Sequence, residues 1–267
     1  MQRTANFGNV IVPGGSVVRG IEYFNDFVTG GNATATGPAF SSTADAAEWL
    51  TSLTNSAVPQ VADNTDIKAL LPYGAGGVVK VVNAGTNNDG VSAQINGEPF
   101  VLTPNKSLIC EGRFATSAIA GTLFAFGLGK TSTAIVAASG GQTITSTDFI
   151  GFVVRGTTGA ILPVVKGNNT ETLPTIISSA APAFVNNTWA TLRFEITPTQ
   201  YNATGAYICK FYVNNVLVAE HSSTTAAFPV DAYNATPIGL TPSWQFKTQG
   251  STAHNGFIDY VAVFQER

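Results

Sequence analysis

Thr188–Thr197 (TWATLRFEIT), Ala206–Glu220 (AYICKFYVNNVLVAE) and Gly256–Arg267 (GFIDYVAVFQER) read as strands in a fixed order along the last third of the chain. In the first, Leu192, Phe194 and Ile196 share one face while Thr191, Arg193 and Glu195 share the other. That alternation fits an antiparallel sheet with one face on a core and one in water. The second is a hairpin, because Asn214-Asn215 separates two β-rich runs and Asn tolerates the left-handed backbone of a tight turn. The third has Ile258, Tyr260 and Phe264 on one face and Val261 and Val263 on the other. Apolar residues on both faces predict a central strand, or one covered on its outer side. Its expected partner is the strand at 21–28, which would bring the two ends of the domain together.

Upstream, the same kind of punctuation recurs. Val78–Val82, Val91–Ile95, Phe100–Leu102, Ser107–Phe114, Thr122–Leu128, Phe149–Arg155 and Ile161–Lys166 are short β-rich runs separated by Gly, Asn and Pro clusters. Many short strands at such spacing predict an all-β antiparallel sandwich, and the lack of alternating βα units disfavours a parallel α/β fold. Ile21–Val28 (IEYFNDFV) is an earlier strand with mixed faces, Gly30–Gly37 a loop, and Val58–Leu71 mostly loop. Ser42–Leu53 (STADAAEWLTSL) is the best helix candidate, with Ser42 or Thr43 as cap and Asp45 and Glu48 in its first turns. Residues 1–17 contain Pro13-Gly14-Gly15 and are expected to form an irregular arm that lies on a neighbour in an assembly. The expected organisation is therefore an arm at 1–17 and one sandwich domain at 18–267.

Of the 267 residues 44% are hydrophobic and only 11% charged, where ordinary soluble domains carry about 25% charged residues. Thr, Ser, Asn, Gly and Ala must cover the surface instead, which suits a protein largely enclosed by neighbours. A net charge of -3 and scattered Lys and Arg give no electrostatic footprint for nucleic acid. No apolar run approaches the ~18 residues of a membrane span, and MQRTANFGNVIVPGG lacks the apolar core of a signal peptide. Synthesis in a cytoplasm without secretion by the general route is the expectation.

Catalytic chemistry finds little to stand on. Retaining glycosidases need two carboxylates about 5–5.5 Å apart, and the nearest approach to such a pattern is Glu22 with Asp26, without a third acid. His221 and His254 have no Ser or Cys motif beside them to complete a nucleophilic site, and read as strand-end and loop residues. Asp63-Asn64-Thr65-Asp66 and Asn87-Asn88-Asp89-Gly90 offer oxygens, but fewer carboxylates than calcium needs, and turn chemistry accounts for both. Cys110 and Cys209 each lie in an apolar strand pattern and read as buried thiols, with a disulfide open only if their strands adjoin. No catalytic, cofactor or metal residue is assigned. Trp49, Tyr73, Tyr201, Tyr233 and Trp244, with Trp189, are aromatics that suit stacking on a sugar ring or a partner contact, core or rim packing being the alternative use.

The ordered set IEYFNDF, AAEWL, Gly-Gly followed by VVKVV, PNKSLICEGRF, TDFIGFVVR, NTWATLRFEI, CKFYVNNVLVAE and GFIDYVAVFQER spans residues 20–267. It resembles the concanavalin-like (laminin G-like) jelly-roll structural proteins of tailed bacteriophage virions. The resemblance implies an antiparallel β-sandwich without catalysis or cofactor, acting as a capsid decoration (cement) protein. Its partners would be the major capsid protein and copies of itself, a trimer by analogy, on the capsid surface of a virion assembled in the host cytoplasm. Contact with host glycans would be weak and secondary. The alternative that the same fold leaves open is a carbohydrate-binding adhesion module on a tail or head fibre.

Overall fold

The computed structural model describes residues 3–11, 17–25, 40–41, 49–54 and 58–61 as strands, and in further detail residues 78–83, 85–102, 106–132, 134–137, 143–155, 158–178, 182–198, 207–223 and 238–266. Among the described residues every regular element is a strand. The first sheet runs, edge to edge, β1 (Arg3–Ile11), β2 (Val17–Asn25), β18 (His254–Glu266), β9 (Leu108–Thr116), β14 (Ala190–Pro198), β15 (Tyr207–Val213) and β16 (Val216–Ser223). Beside β2, the first half of β18 pairs with β6 (Val79–Asn83), which carries β5 (Val58–Val61). The second sheet runs β13 (Thr170–Thr172), β12 (Ile161–Gly167), β11 (Phe149–Val154), β10 (Thr122–Gly129), β17 (Gly239–Thr248), β7 (Gly90–Ile95), β4 (Trp49–Thr54) and β3 (Phe40–Ser41), with β8 (Phe100–Val101) on β17. All pairings are antiparallel except β3 with β4.

The core lies between the sheets. Leu192, Phe194 and Ile196 of β14, Cys209 and Phe211 of β15, and Phe114 of β9 face Phe124 and Phe126 of β10, Ile150 and Phe152 of β11, and Trp244 and Phe246 of β17. Phe114 packs on Phe124 and Phe126 with ring centroids 5.0 and 4.6 Å apart, the tilted aromatic geometry that rings prefer to a face-to-face stack. Cys110 and Cys209 are free, buried thiols. Their strands are separated by β14, so the two sulfurs are not neighbours.

The hairpins follow from local chemistry. Asn214 (φ 50°) and Asn215 (φ 64°) join β15 to β16, and Asn168 (φ 47°) and Asn169 (φ 65°) join β12 to β13. Two successive positive φ angles make the turn whose twist matches the strands it joins. β18 is central, between β2 and β9, and Val261↔Asn25 through Glu266↔Gly20 join the chain's last strand to the second, as the sequence predicts.

Four expectations are corrected. Residues 3–11 are not irregular: β1 pairs with β2 in a hairpin that satisfies backbone groups a free arm would leave to water. Trp49–Thr54 is strand β4, paired to β7 from Trp49↔Ile95 to Thr54↔Gly90, not the end of a helix. A helix that short is marginal on its own, and sheet pairing outcompetes it. Val58–Val61 is likewise a strand where a loop was expected. Finally, the β18 register shifts between Ile258 and Tyr260. This bulge adds one residue and reverses the alternation, so Ile258 joins Val261 and Val263 in the core and Tyr260 turns outward. The positions 26–39, 42–48 and 62–77 lie outside the described residues.

Candidate functional site

In the second sheet β7, β10 and β11 are buried on both faces along their whole length. Its outer face is floored by Ser92 and Gln94 of β7, Ser243 and Gln245 of β17, and Leu123, Ala125, Val153 and Val164 of β10–β12. Gly127 and Gly151 face each other in the middle of that floor. A Cβ on Gly127 would collide with the Ile150 carbonyl oxygen, and one on Gly151 with that of Phe126. Only glycine permits such an approach.

A strap of the chain's own backbone covers this face. Residues 134–137 and 143–145 form a small antiparallel ladder, with Val136 bridged to Ile144 and Thr145 N donating to Ile135 O at 2.9 Å. Three anchors hold it. Gln94 Oε1 accepts from Ser132 N (2.7 Å), and Gln94 Nε2 donates to Ser243 Oγ (2.9 Å) and Lys130 O (3.2 Å). Gln245 Oε1 accepts from Ile135 N (2.9 Å), Val136 N (3.1 Å) and Ser92 Oγ (2.8 Å), and Gln245 Nε2 donates to Val136 O (3.2 Å). On the other limb Lys166 Nζ donates to Ile144 O (2.5 Å) and Ile144 N donates to Glu171 Oε2 (3.3 Å), while Arg155 braces Glu171 at 2.7 Å. Burial pushes the Lys166 ammonium below the usual lysine range, against the opposing pull of Glu171 and Asp148. Beneath the anchors, Ile135, Val136 and Ile144 pack on Leu123, Ala125, Phe149, Val153 and Val164 as a second small core. Ser92, Gln94, Ser243 and Gln245 are thus all bonded within the chain, with Gln245 fully buried.

The outer face of the first sheet is different. Glu111 and Arg113 of β9, Arg193 and Glu195 of β14, Lys210 and Tyr212 of β15 and Tyr260 of β18 share it, in register across four strands. Tyr260 Oη donates to Glu111 (2.6 Å), Arg113 pairs with Asp259 (2.8 Å) and stacks over Trp189 (5.0 Å), and Arg193 stacks over Tyr212 (4.4 Å) beside Glu195. Burial first, then the Glu111 carboxylate, raises the Tyr260 phenol far above its ordinary range. Glu111, Arg113, Arg193, Glu195, Tyr212 and Tyr260 are each half-buried and engaged with a neighbour, which makes a paired, aromatic-interleaved surface among the described residues.

Of the aromatics singled out in the sequence, Trp244 lies in the core between Phe126 and Ala93 and is closed to solvent. As a contact residue it is therefore corrected: an alternating strand carried the ring inward. Trp49 begins β4 opposite Ile95, and Tyr73, Tyr201 and Tyr233 lie outside the described residues. The second histidine, His254, is buried with Nε2 3.0 Å from Asn83 Nδ2, and the Asn87–Gly90 turn spends its groups on β17, with Asn88 N donating to Thr248 O and Asn87 Oδ1 accepting from Gly250 N. Of the weak acid candidates, Glu22 sits on β2 opposite Phe264, and Asp26 and the Asp63–Asp66 segment lie outside the described residues. The strap anchors Gln94, Gln245, Lys166 and Glu171 were not singled out; their one signal was polar residues at alternate positions of otherwise apolar strands.

No protein-family model matches the chain, and no curated protein matches it. Among solved structures, a protein of unknown function from Shewanella oneidensis MR-1 (SO2946) is similar, with a TM-score of 0.51 and 17% identity over 92% of this chain and 87% of that one. An endo-1,3-β-glucanase from Streptomyces sioyaensis is similar at a TM-score of 0.51 and 13% identity, over 91% of this chain and 95% of that one. At these identities the likeness is one of fold. The chain is a concanavalin-like jelly-roll β-sandwich.

Proposed function

We propose that the chain is a non-catalytic structural protein of a bacteriophage virion, a capsid decoration protein that binds the outer shell and stabilises it. The observation that carries this reading is the strap. A sandwich that held a small ligand on the outer face of its second sheet would need Ser92, Gln94, Ser243 and Gln245 free, and all four are bonded within the chain. Among the described residues the paired face of the first sheet is an extended surface open to a partner. A charged content of 11% supports the same reading, since surfaces depleted in charge suit large, permanent interfaces. Binding only the assembled shell would stabilise it by mass action.

The test is co-sedimentation of the purified chain with DNA-free capsids that lack it, beside a glycan array. Saturable binding at a fixed ratio to the shell protein, raising the shell's melting temperature, is the expected result. Retention on specific glycans with no shell binding would replace this reading with the carbohydrate-binding adhesion module.

A further inference from the structure

Asn-Gly occurs twice in the chain, at Asn96-Gly97 and Asn255-Gly256, and the fold puts the two in opposite surroundings. Asn96 and Gly97 follow β7 in the bend that leads to β8, and residues 96–99 are all exposed. Gly97 has a φ of +87° and nothing within 4 Å of the place a Cβ would take. Among the described residues its amide donates no hydrogen bond. Asn255 and Gly256 lie inside β18, paired to Val82 and Val81 of β6, with Gly256 also opposite Thr116 of β9. Asn255 N donates to Ser117 Oγ (2.8 Å), and Asn255 O accepts from Ser117 N (2.9 Å). Gly256 is buried, and a Cβ there would collide with the Phe246 ring. The turn asparagines are restrained in another way. The amide following each of Asn87, Asn88, Asn168, Asn186 and Asn187 donates to a backbone carbonyl at 2.7–3.1 Å. Apart from Asn96 and Asn255, every asparagine among the described residues also precedes a residue with a side chain, which crowds the following nitrogen.

We propose that Asn96 is a site of spontaneous modification, at which the Gly97 nitrogen closes on the Asn96 side chain. The deprotonated Gly97 N attacks Asn96 Cγ and forms the N–Cγ bond. The Cγ–Nδ2 bond breaks, and the side-chain nitrogen takes a proton from solvent and leaves as ammonia. Water then opens the cyclic imide at one of its two carbonyls. Opening at Cγ leaves an aspartate; opening at the main-chain carbonyl leaves an isoaspartate, with the backbone routed through Cγ. Net, one water enters and one ammonia leaves, and nothing is oxidised or reduced. The reaction needs an exposed asparagine, an unhindered next nitrogen and a backbone free to bring the two together, and Asn96-Gly97 supplies all three. The product adds one negative charge to the formal -3 of the chain. It does so two residues from Glu98, whose Oε1 accepts from Thr131 N (2.9 Å) where the chain enters the strap. The isoaspartyl form also lengthens the link that carries Glu98. This inference stands apart from the virion reading and holds for either function.

The test incubates the folded full chain in heavy-oxygen water at pH 8 and at pH 5 and maps its peptides by mass spectrometry. The Asn96 peptide should lose its side-chain nitrogen, take up one heavy oxygen, and divide into aspartyl and isoaspartyl forms. The loss should be faster at pH 8, where more of the Gly97 amide is deprotonated. The Asn255 peptide should stay intact in the folded chain, and both should convert once urea unfolds it. Asn96→Gln, whose extra methylene requires a larger ring, should abolish the acidic form. Should that variant misfold, the pH series and isoaspartate content of the unaltered chain decide. An Asn96 peptide that stays intact at pH 8, or that yields aspartate without isoaspartate, overturns the proposal. Conversion of Asn255 at the same rate in the folded chain overturns it too.

Discussion

Gln245 makes four hydrogen bonds, three of them to backbone groups of the strap, at a position with no solvent to replace them. Gln245→Leu keeps the volume but strands two amides and a carbonyl, each worth about 1–3 kcal/mol when left unpaired and buried. The melting temperature should fall by about 10 °C, given roughly 2–4 °C per kcal/mol in domains of this size, with the far-ultraviolet circular dichroism unchanged. Gly127 and Gly151 should be less forgiving: alanine at either forces β10 and β11 apart at a backbone contact that cannot relax, and soluble yield should collapse. Gly97→Ala meets nothing within 4 Å and is strained only by its φ of +87°, so it should cost about 1–2 kcal/mol. Burial, then the neighbouring Glu111 and Glu195, pushes the Cys110 and Cys209 thiols well above their ordinary range. Neither should react with a disulfide reagent at pH 8 until the chain is unfolded, when both should. Burial also lowers the pKa of His254 and of His221, in the first case against the Thr252 carbonyl and Asp89. Below the unfolded histidine value of about 6.5 the unfolded chain takes up protons that the native one refuses. Stability should therefore be full above pH 7 and decline as pH falls through 6.5 toward the folded values. Urea unfolding at pH 7.5, 6.5 and 5.5 checks this, and His254→Gln should flatten the slope.

Particular strands show where the amino-acid order is legible. β14, the Asn-Asn hairpin of β15 and β16, and the pairing of β18 with β2 follow from alternation and turn chemistry alone. β4 does not, because WLTSLT has a helical as well as an extended reading, and only its pairing with β7 decides between them. β18 is legible as central but not in its facing, since the bulge beyond Ile258 moves every earlier residue to the opposite side. β17 is hidden by Pro242, which argues against a central strand. It is tolerated because β8 pairs with residues 239–240 and β7 with residues 243–247, so the missing amide falls in the gap between them. The strap is the least legible element: Ser243 and Gln245 alternate with Trp244 and Phe246 as a solvent-facing strand would, and periodicity cannot tell a wet face from one covered by another part of the chain.

At the scale of the whole molecule, the two faces are closed by different means. The second sheet is covered by a strap that its own glutamines, lysine and glutamate hold down; on the first, Glu111 is paired with Tyr260, Arg113 with Asp259 and Arg193 with Glu195. Among the described residues neither face carries an acid pair free of partners, and the sparse charge suits burial against neighbours. The central claim, that this chain is a structural part of a virion, is tested most directly by quantitative mass spectrometry of purified particles from the source, with the chain's copy number set against that of the main shell protein. A fixed ratio of the order of one per few shell subunits is predicted. Absence of the chain from the particles would contradict the claim outright.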